Sequence, residues 1–157
     1  MRTAALCLAL VLIPTCQAQA GWQYTQWGMS MEEVLSASKG AAHPTAKPAT
    51  YPNDSLKHLL DGTYESGDFT FNVQYIFRQR KLEVVILALT NPSDCALLRL
   101  ELANTYGKPQ STGDAVSQLD KWWDETTGNV VAVLDISPLS CSVRYSPYHK
   151  PGEKGSL

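Results

Sequence analysis

The segment Phe69-Thr70-Phe71-Asn72-Val73-Gln74-Tyr75-Ile76-Phe77-Arg78 decides the fold class. Phe69, Phe71, Val73, Tyr75 and Phe77 alternate with Thr70, Asn72, Gln74, Ile76 and Arg78. A period of two puts one set on a buried face and the other on an open one, which predicts a half-buried strand. Arg78-Gln79-Arg80-Lys81 is a charged connection, and Leu82–Leu89 is the partner strand. That partner is apolar on both faces, so it belongs in the middle of a sheet.

Upstream, Leu56–Glu65 predicts another strand, weakened by Gly62. Ala41–Ser55 carries Pro44, Pro48 and Pro52, one at every fourth position. This spacing forbids a helix and favours extended or polyproline backbone, and the stretch reads as a surface loop. Before it, Ser30 caps a short helix and Glu33 completes a capping box, with Met29 placed to staple against Val34. Met31, Val34 and Leu35 share one face of that helix, which ends before Gly40. Trp22, Tyr24 and Trp27 precede it.

Downstream, Asn91-Pro92-Ser93-Asp94 opens a second helix with a cap, a proline in the first turn and an acid at the positive dipole end. Cys95, Leu98, Leu102 and Tyr106 fall at helical spacing, Gly107 ends the helix in a left-handed conformation and Pro109 prevents continuation. A polar loop runs to Ser117, followed by strands Leu119–Glu125, Val130–Ile136 and Ser140–Ser146. His149–Leu157 reads as a frayed tail.

Helix then three strands, twice, predicts an α+β domain over residues 21–148, with weak repeats at 28–90 and 91–148. The expected architecture is an antiparallel sheet of about six strands with two helices on one face, a duplicated α-β-β-β unit.

The first 20 of the 157 residues carry a different signal. Met1-Arg2, the apolar run Ala4–Ile13, the break at Pro14 and Ala18-Gln19-Ala20 follow the order of a secretory signal cleaved after Ala20. A run of about ten apolar residues is too short for a membrane-spanning helix, and no later segment is long enough. The expected location is the periplasm or the extracellular medium. Cys16 offers an alternative as a lipidation site, but Thr15 is a poor residue before a lipidated cysteine and Ala18-Gln19-Ala20 is the better cleavage site.

Cleavage removes Cys7 and Cys16 and leaves Cys95 and Cys141. Two cysteines in an oxidising compartment are expected to pair, pinning the second helix to the last strand. Two buried thiols, or a pair of metal ligands, are the alternatives. Removing Arg2 moves the formal net charge from −2 to −3, which gives no electrostatic case for nucleic acid.

Trp27-Gly28-Met29-Ser30-Met31-Glu32-Glu33-Val34 resembles the start of the α-β repeats in a broad group of small bacterial envelope proteins. Leu102–Pro109, the Trp122-Trp123 pair, Val130–Leu134 and Cys141–Tyr145 match the same pattern in the second half. The group includes the SmpA/OmlA-like outer-membrane assembly lipoproteins and the β-lactamase-inhibitor-like folds. The resemblance implies binding or inhibition without catalysis, and the weak lipidation site departs from the lipoprotein members.

No catalytic constellation is legible. His43, His58 and His149 form no metal-binding spacing, and there is no nucleophile-elbow or phosphate-loop motif. Glu32-Glu33 suits a helix start, and Asp124 and Glu125 point to opposite faces of a strand. No cofactor is expected. In Trp122-Trp123 one indole should meet the helices and the other the open sheet face, where it would anchor a partner unless Trp22, Tyr24 or Trp27 folds over it as a second small core. Arg78, Arg80 and Lys81 offer contacts to an acidic partner or form a solvated turn, and Tyr51–Asp54 offers a protruding tip. The expected function is a non-enzymatic binding or scaffold protein that uses the open face and the Pro44–Pro52 loop to engage another envelope or secreted protein. An inhibitor of a secreted enzyme is the alternative, and a small hydrolase the third.

Overall fold

The computed structural model describes residues 20–51 and 55–149. The expected signal segment up to residue 19 with Cys16, the expected tip at residues 52–54 and the expected tail from residue 150 lie outside the described residues.

Among the described residues two α-helices and eight strands follow one another as α1 (Met31–Ser38), β1 (Ala42–Tyr51), β2 (Leu56–Ser66), β3 (Phe69–Arg78), β4 (Lys81–Leu89), α2 (Cys95–Tyr106), β5 (Gln110–Gly113), β6 (Gln118–Asp124), β7 (Asn129–Ile136) and β8 (Ser140–Pro147). The strands form one antiparallel sheet in the order β1-β2-β3-β4-β8-β7-β6-β5. Each half is an up-and-down meander, and the halves meet where β4 pairs with β8.

The count of about six strands is therefore corrected to eight, and each unit is α-β-β-β-β instead of α-β-β-β. Both missed strands are edges. The Ala41–Ser55 loop is in fact β1, which pairs with β2 at Ala42–Pro44 and again at Ala49–Tyr51, with an irregularity between that contains Pro48. An edge strand can hold prolines because one row of its N–H groups needs no ladder partner. The polar loop before Ser117 contains β5, four exposed residues paired with β6.

The turn between β3 and β4 gives Gln79 and Arg80 positive φ values of 48° and 68°, as a two-residue type I′ hairpin requires. Gly62 sits inside β2 for a packing reason. A Cβ there would come within 2.8 Å of the Ala41 carbonyl oxygen.

The α1 capping box forms as read, with the Ser30 hydroxyl accepting from the Glu33 N–H and the Glu33 carboxylate accepting from the Ser30 N–H. Pro92–Asp94 make a short 3-10 turn before α2. Gly107 ends α2 with φ 82° but ψ −158°, extended instead of left-handed helical. Its carbonyl accepts the Trp122 indole N–H at 2.8 Å, so the turned backbone satisfies a buried donor.

Val34 of α1, Cys95 and Leu98 of α2, and the alternating residues Phe71, Val73, Tyr75 and Phe77 belong to one buried cluster. The segment before α1 joins it. Trp22 is buried and meets Tyr24, Tyr64 and Tyr75 edge-on. The Trp27 indole donates to Asn129 Oδ1 at 2.8 Å, and Gly28 and Met29 exchange backbone hydrogen bonds with Leu82. These aromatics thus complete the main core on the helix side and do not build a second core over the open face. A smaller buried set, Leu56, Ile76 and Val84, lies on the other side of the N-terminal half.

Cys95 and Cys141 are disulfide-bonded, with Cα atoms 5.8 Å apart. The bridge ties the first turn of α2 to the start of β8. Among the described residues no helix is long and apolar enough to cross a membrane.

Candidate functional site

Alternation separates the tryptophan pair. Trp122 is 3 % exposed and packs beside Tyr106, whereas Trp123 is 47 % exposed on the opposite face. The ladder places its neighbours. Trp123 pairs with Val130 and Val130 with Ser146. Two residues along, Lys121, Ala132, Arg144 and Ile86 form a row, and beyond them Leu119, Leu134, Ser142 and Ala88 form another. The open face of the C-terminal half is therefore an apolar field around Trp123, Leu134 and the half-buried Leu119 and Val130, crossed by the cations Lys121 and Arg144.

The other sequence-predicted site residues lie in the N-terminal half. Tyr51 pairs with Leu56, Leu56 with Arg78 and Arg78 with Lys81, one row near the β3–β4 turn. Tyr51 is exposed at the end of β1. Arg78 donates from Nε to Glu83 at 3.0 Å and is committed to that pair. Arg80 and Lys81 are exposed at the turn. The Glu32 carboxyl is held below its ordinary range chiefly by a backbone N–H and the Ser30 hydroxyl, with a smaller contribution from Arg80. Strands lie about 4.8 Å apart, and β4, β8 and β7 separate β3 from β6, so this row and Trp123 form two patches and not one.

A second concave surface escaped the sequence reading. A groove of about 550 Å³ lies on the helix side, between α2, the Gly21–Gln23 segment and the β2–β3 turn. Its apolar lining comes from Trp22, Tyr64, Phe71, Leu98, Leu102 and Tyr145, and Leu97, itself 51 % exposed, stands at its border. Asp68, Glu101 and Asp124 are its charged lining residues, and none of its lining residues is a Lys, Arg or His. In the sequence its trace is Leu97, a leucine off the Cys95–Leu98–Leu102 face of α2.

Asp124 and Asn129 at the edge of this groove are already engaged. Asp124 accepts from the Thr126 and Thr127 N–H groups and from the Thr127 hydroxyl. Asn129 accepts from Trp27 and donates to the Gly21 carbonyl and the Thr127 hydroxyl. Burial pushes the Tyr145 phenol far above its ordinary value, with Tyr106 adding to the effect, so it remains a neutral hydroxyl near pH 7. Tyr75 behaves alike through burial and its hydrogen bond with Tyr24. His58 is spent on Asp61 at 2.7 Å, on the opposite side of the sheet. Among the described residues no group of three His, Cys, Asp or Glu is placed to hold a metal ion.

No protein-family model, no curated protein and no solved structure matches the chain.

Proposed function

We propose that this chain is a non-enzymatic binding or scaffold protein of the cell envelope or of the secreted fraction, engaging another protein through the open face of its sheet. The observation that carries the reading is Trp123, a large amphipathic side chain nearly half exposed within an apolar field. Exposed aromatics surrounded by smaller apolar groups are the usual anchors of protein interfaces. Lys121 and Arg144 beside it favour a partner with acidic groups around an apolar centre. The disulfide supports an oxidising compartment. The signal-like residues 1–20 and the likeness of Trp27–Val34 to envelope proteins support the same location.

A second reading, inhibition of a secreted enzyme, draws on Leu139, which is 79 % exposed at the β7–β8 turn and offers a protruding apolar tip.

Two measurements test the first reading. Pull-down from a periplasmic extract should recover a partner with the wild-type protein and lose it with Trp123→Ala. Truncating this half-buried ring is expected to cost about 2 kcal/mol, so the variant's thermal unfolding is measured alongside, and a folded variant that loses the partner attributes the loss to binding. Equal recovery of every partner would discard the open face as the docking surface. The N-terminus of the exported protein should read Gly21, and an acylated Cys16 in its place would make it a lipoprotein.

A further inference from the structure

The groove along α2 lies on the opposite side of the sheet from Trp123 and is independent of the reading above. We propose that it is a second docking site, for a short extended peptide segment of a partner that carries large apolar side chains flanked by Lys or Arg. Three observations carry this.

The first is shape. The α2 residues lining the groove run from Leu97 to Tyr106. At 1.5 Å of rise per residue this wall is about 13 Å long. An extended chain advances about 3.3 Å per residue, so roughly four residues fill the wall. A volume of about 550 Å³ lies within the range of sites that enclose a small ligand.

The second is charge. All the charged lining residues are carboxylates, Asp68, Glu101 and Asp124. Glu101 is exposed on α2, free to swing toward an incoming cation. An anionic peptide would meet like charge and be rejected.

The third is the aromatic floor. Tyr64, Tyr106 and Tyr145 line the groove with the buried Trp22 among them, and aromatic rings take up apolar side chains and attract ammonium or guanidinium groups. Carboxylates and aromatic faces together select a segment with both properties.

The test is an array of amidated tetrapeptides in which Phe-Leu, Leu-Leu or Ser-Ser centres are crossed with Lys, Ser or Glu flanks. Binding to the full-length protein is read by fluorescence anisotropy. Members with apolar centres and Lys flanks should bind best, and Glu flanks should abolish binding. Glu101→Lys, an exposed change, should weaken the best peptide about tenfold, while Trp123→Ala should leave its affinity unchanged. The idea fails if flank charge makes no difference, if no member binds, or if Glu101→Lys binds as well as wild type. A chain truncated after His149 completes the set. Were binding seen only there, the occupant would be the chain's own Lys150–Leu157 segment and the partner peptide would be overturned. Loss of the pull-down partner in Trp123→Ala, with peptide affinity intact, separates the fate of this groove from that of the open face.

Discussion

Replacing Cys95 and Cys141 together by alanine is expected to lower the unfolding free energy by about 4 kcal/mol. The bridge joins residues 46 apart in sequence. Without it the unfolded chain regains the freedom that closing such a loop removes, and the native state gains nothing in return. Alanine is the appropriate replacement because both sites are buried, and serine would add two hydroxyls without partners. For a domain of this size the loss corresponds to a fall in Tm of roughly 12–16 °C. Urea unfolding offers a sharper reading. The midpoint should fall while the slope rises, because an uncrosslinked unfolded chain exposes more surface. A loss below about 1 kcal/mol with an unchanged slope would mean that other contacts already restrain the unfolded chain, contrary to the loop-closure account. The consequence would reach the α2 groove as well, since the bridge fixes the helix that forms its wall.

That crosslink was legible because only Cys95 and Cys141 lie beyond residue 20, once the first 20 residues are read as a signal. The paired meanders were legible in part for a similar reason. Strands β3, β4, β6, β7 and β8 each bury one or both faces, and burial writes itself into the sequence as alternation or as an apolar run. Strands β1 and β5 bury almost nothing. Ala42 is the one buried residue in β1, and all four residues of β5 are exposed. What makes them strands is ladder hydrogen bonding to β2 and β6, which leaves no mark on side-chain polarity. The prolines of β1 pointed toward a loop for the same physical reason that they suit an edge.

The candidate sites divide along similar lines. One exposed and one buried indole at Trp122-Trp123 follows from strand geometry alone. Which neighbours surround Trp123 depends on the register of β6, β7, β8 and β4, and register between distant strands is not a local property. The groove depends on where Trp22 goes. The opening aromatics could have covered either side of the sheet, and the backbone exchange of Gly28 and Met29 with Leu82 decides for the helix side. That exchange joins residues more than fifty positions apart, so nothing in the Trp22–Trp27 stretch announces it.

The second large effect is expected at Asp120, whose side chain is only 3 % exposed. It accepts from Arg99 Nε of α2 at 2.7 Å, from the Ser111 hydroxyl of β5 at 2.6 Å and from Gln118 of β6 at 3.2 Å. Arg99 also reaches Asp135 of β7 at 3.5 Å. A helix and two strands thus meet at one carboxylate, and Arg99 carries the junction on to a third strand. Asp120→Ala should cost about 3 kcal/mol, the low end for breaking a buried pair, because Asp135 remains to receive the stranded guanidinium.

The pH dependence gives the stricter test. Burial pushes the Asp120 carboxyl up, but the hydrogen bonds from Ser111, Arg99 and Gln118, with the Arg99 charge, outweigh it and hold the group below its ordinary value. A group depressed in the folded state contributes stability that is fully present above its unfolded value, about pH 4. That contribution is lost as pH falls through the lower folded value. Unfolding free energy measured from pH 6 downward should therefore decline more steeply below about pH 4 in wild type than in Asp120→Asn, which has no proton to take up. Asp61, Asp114 and Glu32 are also depressed and remain in both proteins, so the acid limb should flatten without vanishing. Identical slopes in the two proteins would mean that Asp120 meets Arg99 as a neutral acid, and the ionic junction between α2 and the C-terminal strands would have to be abandoned.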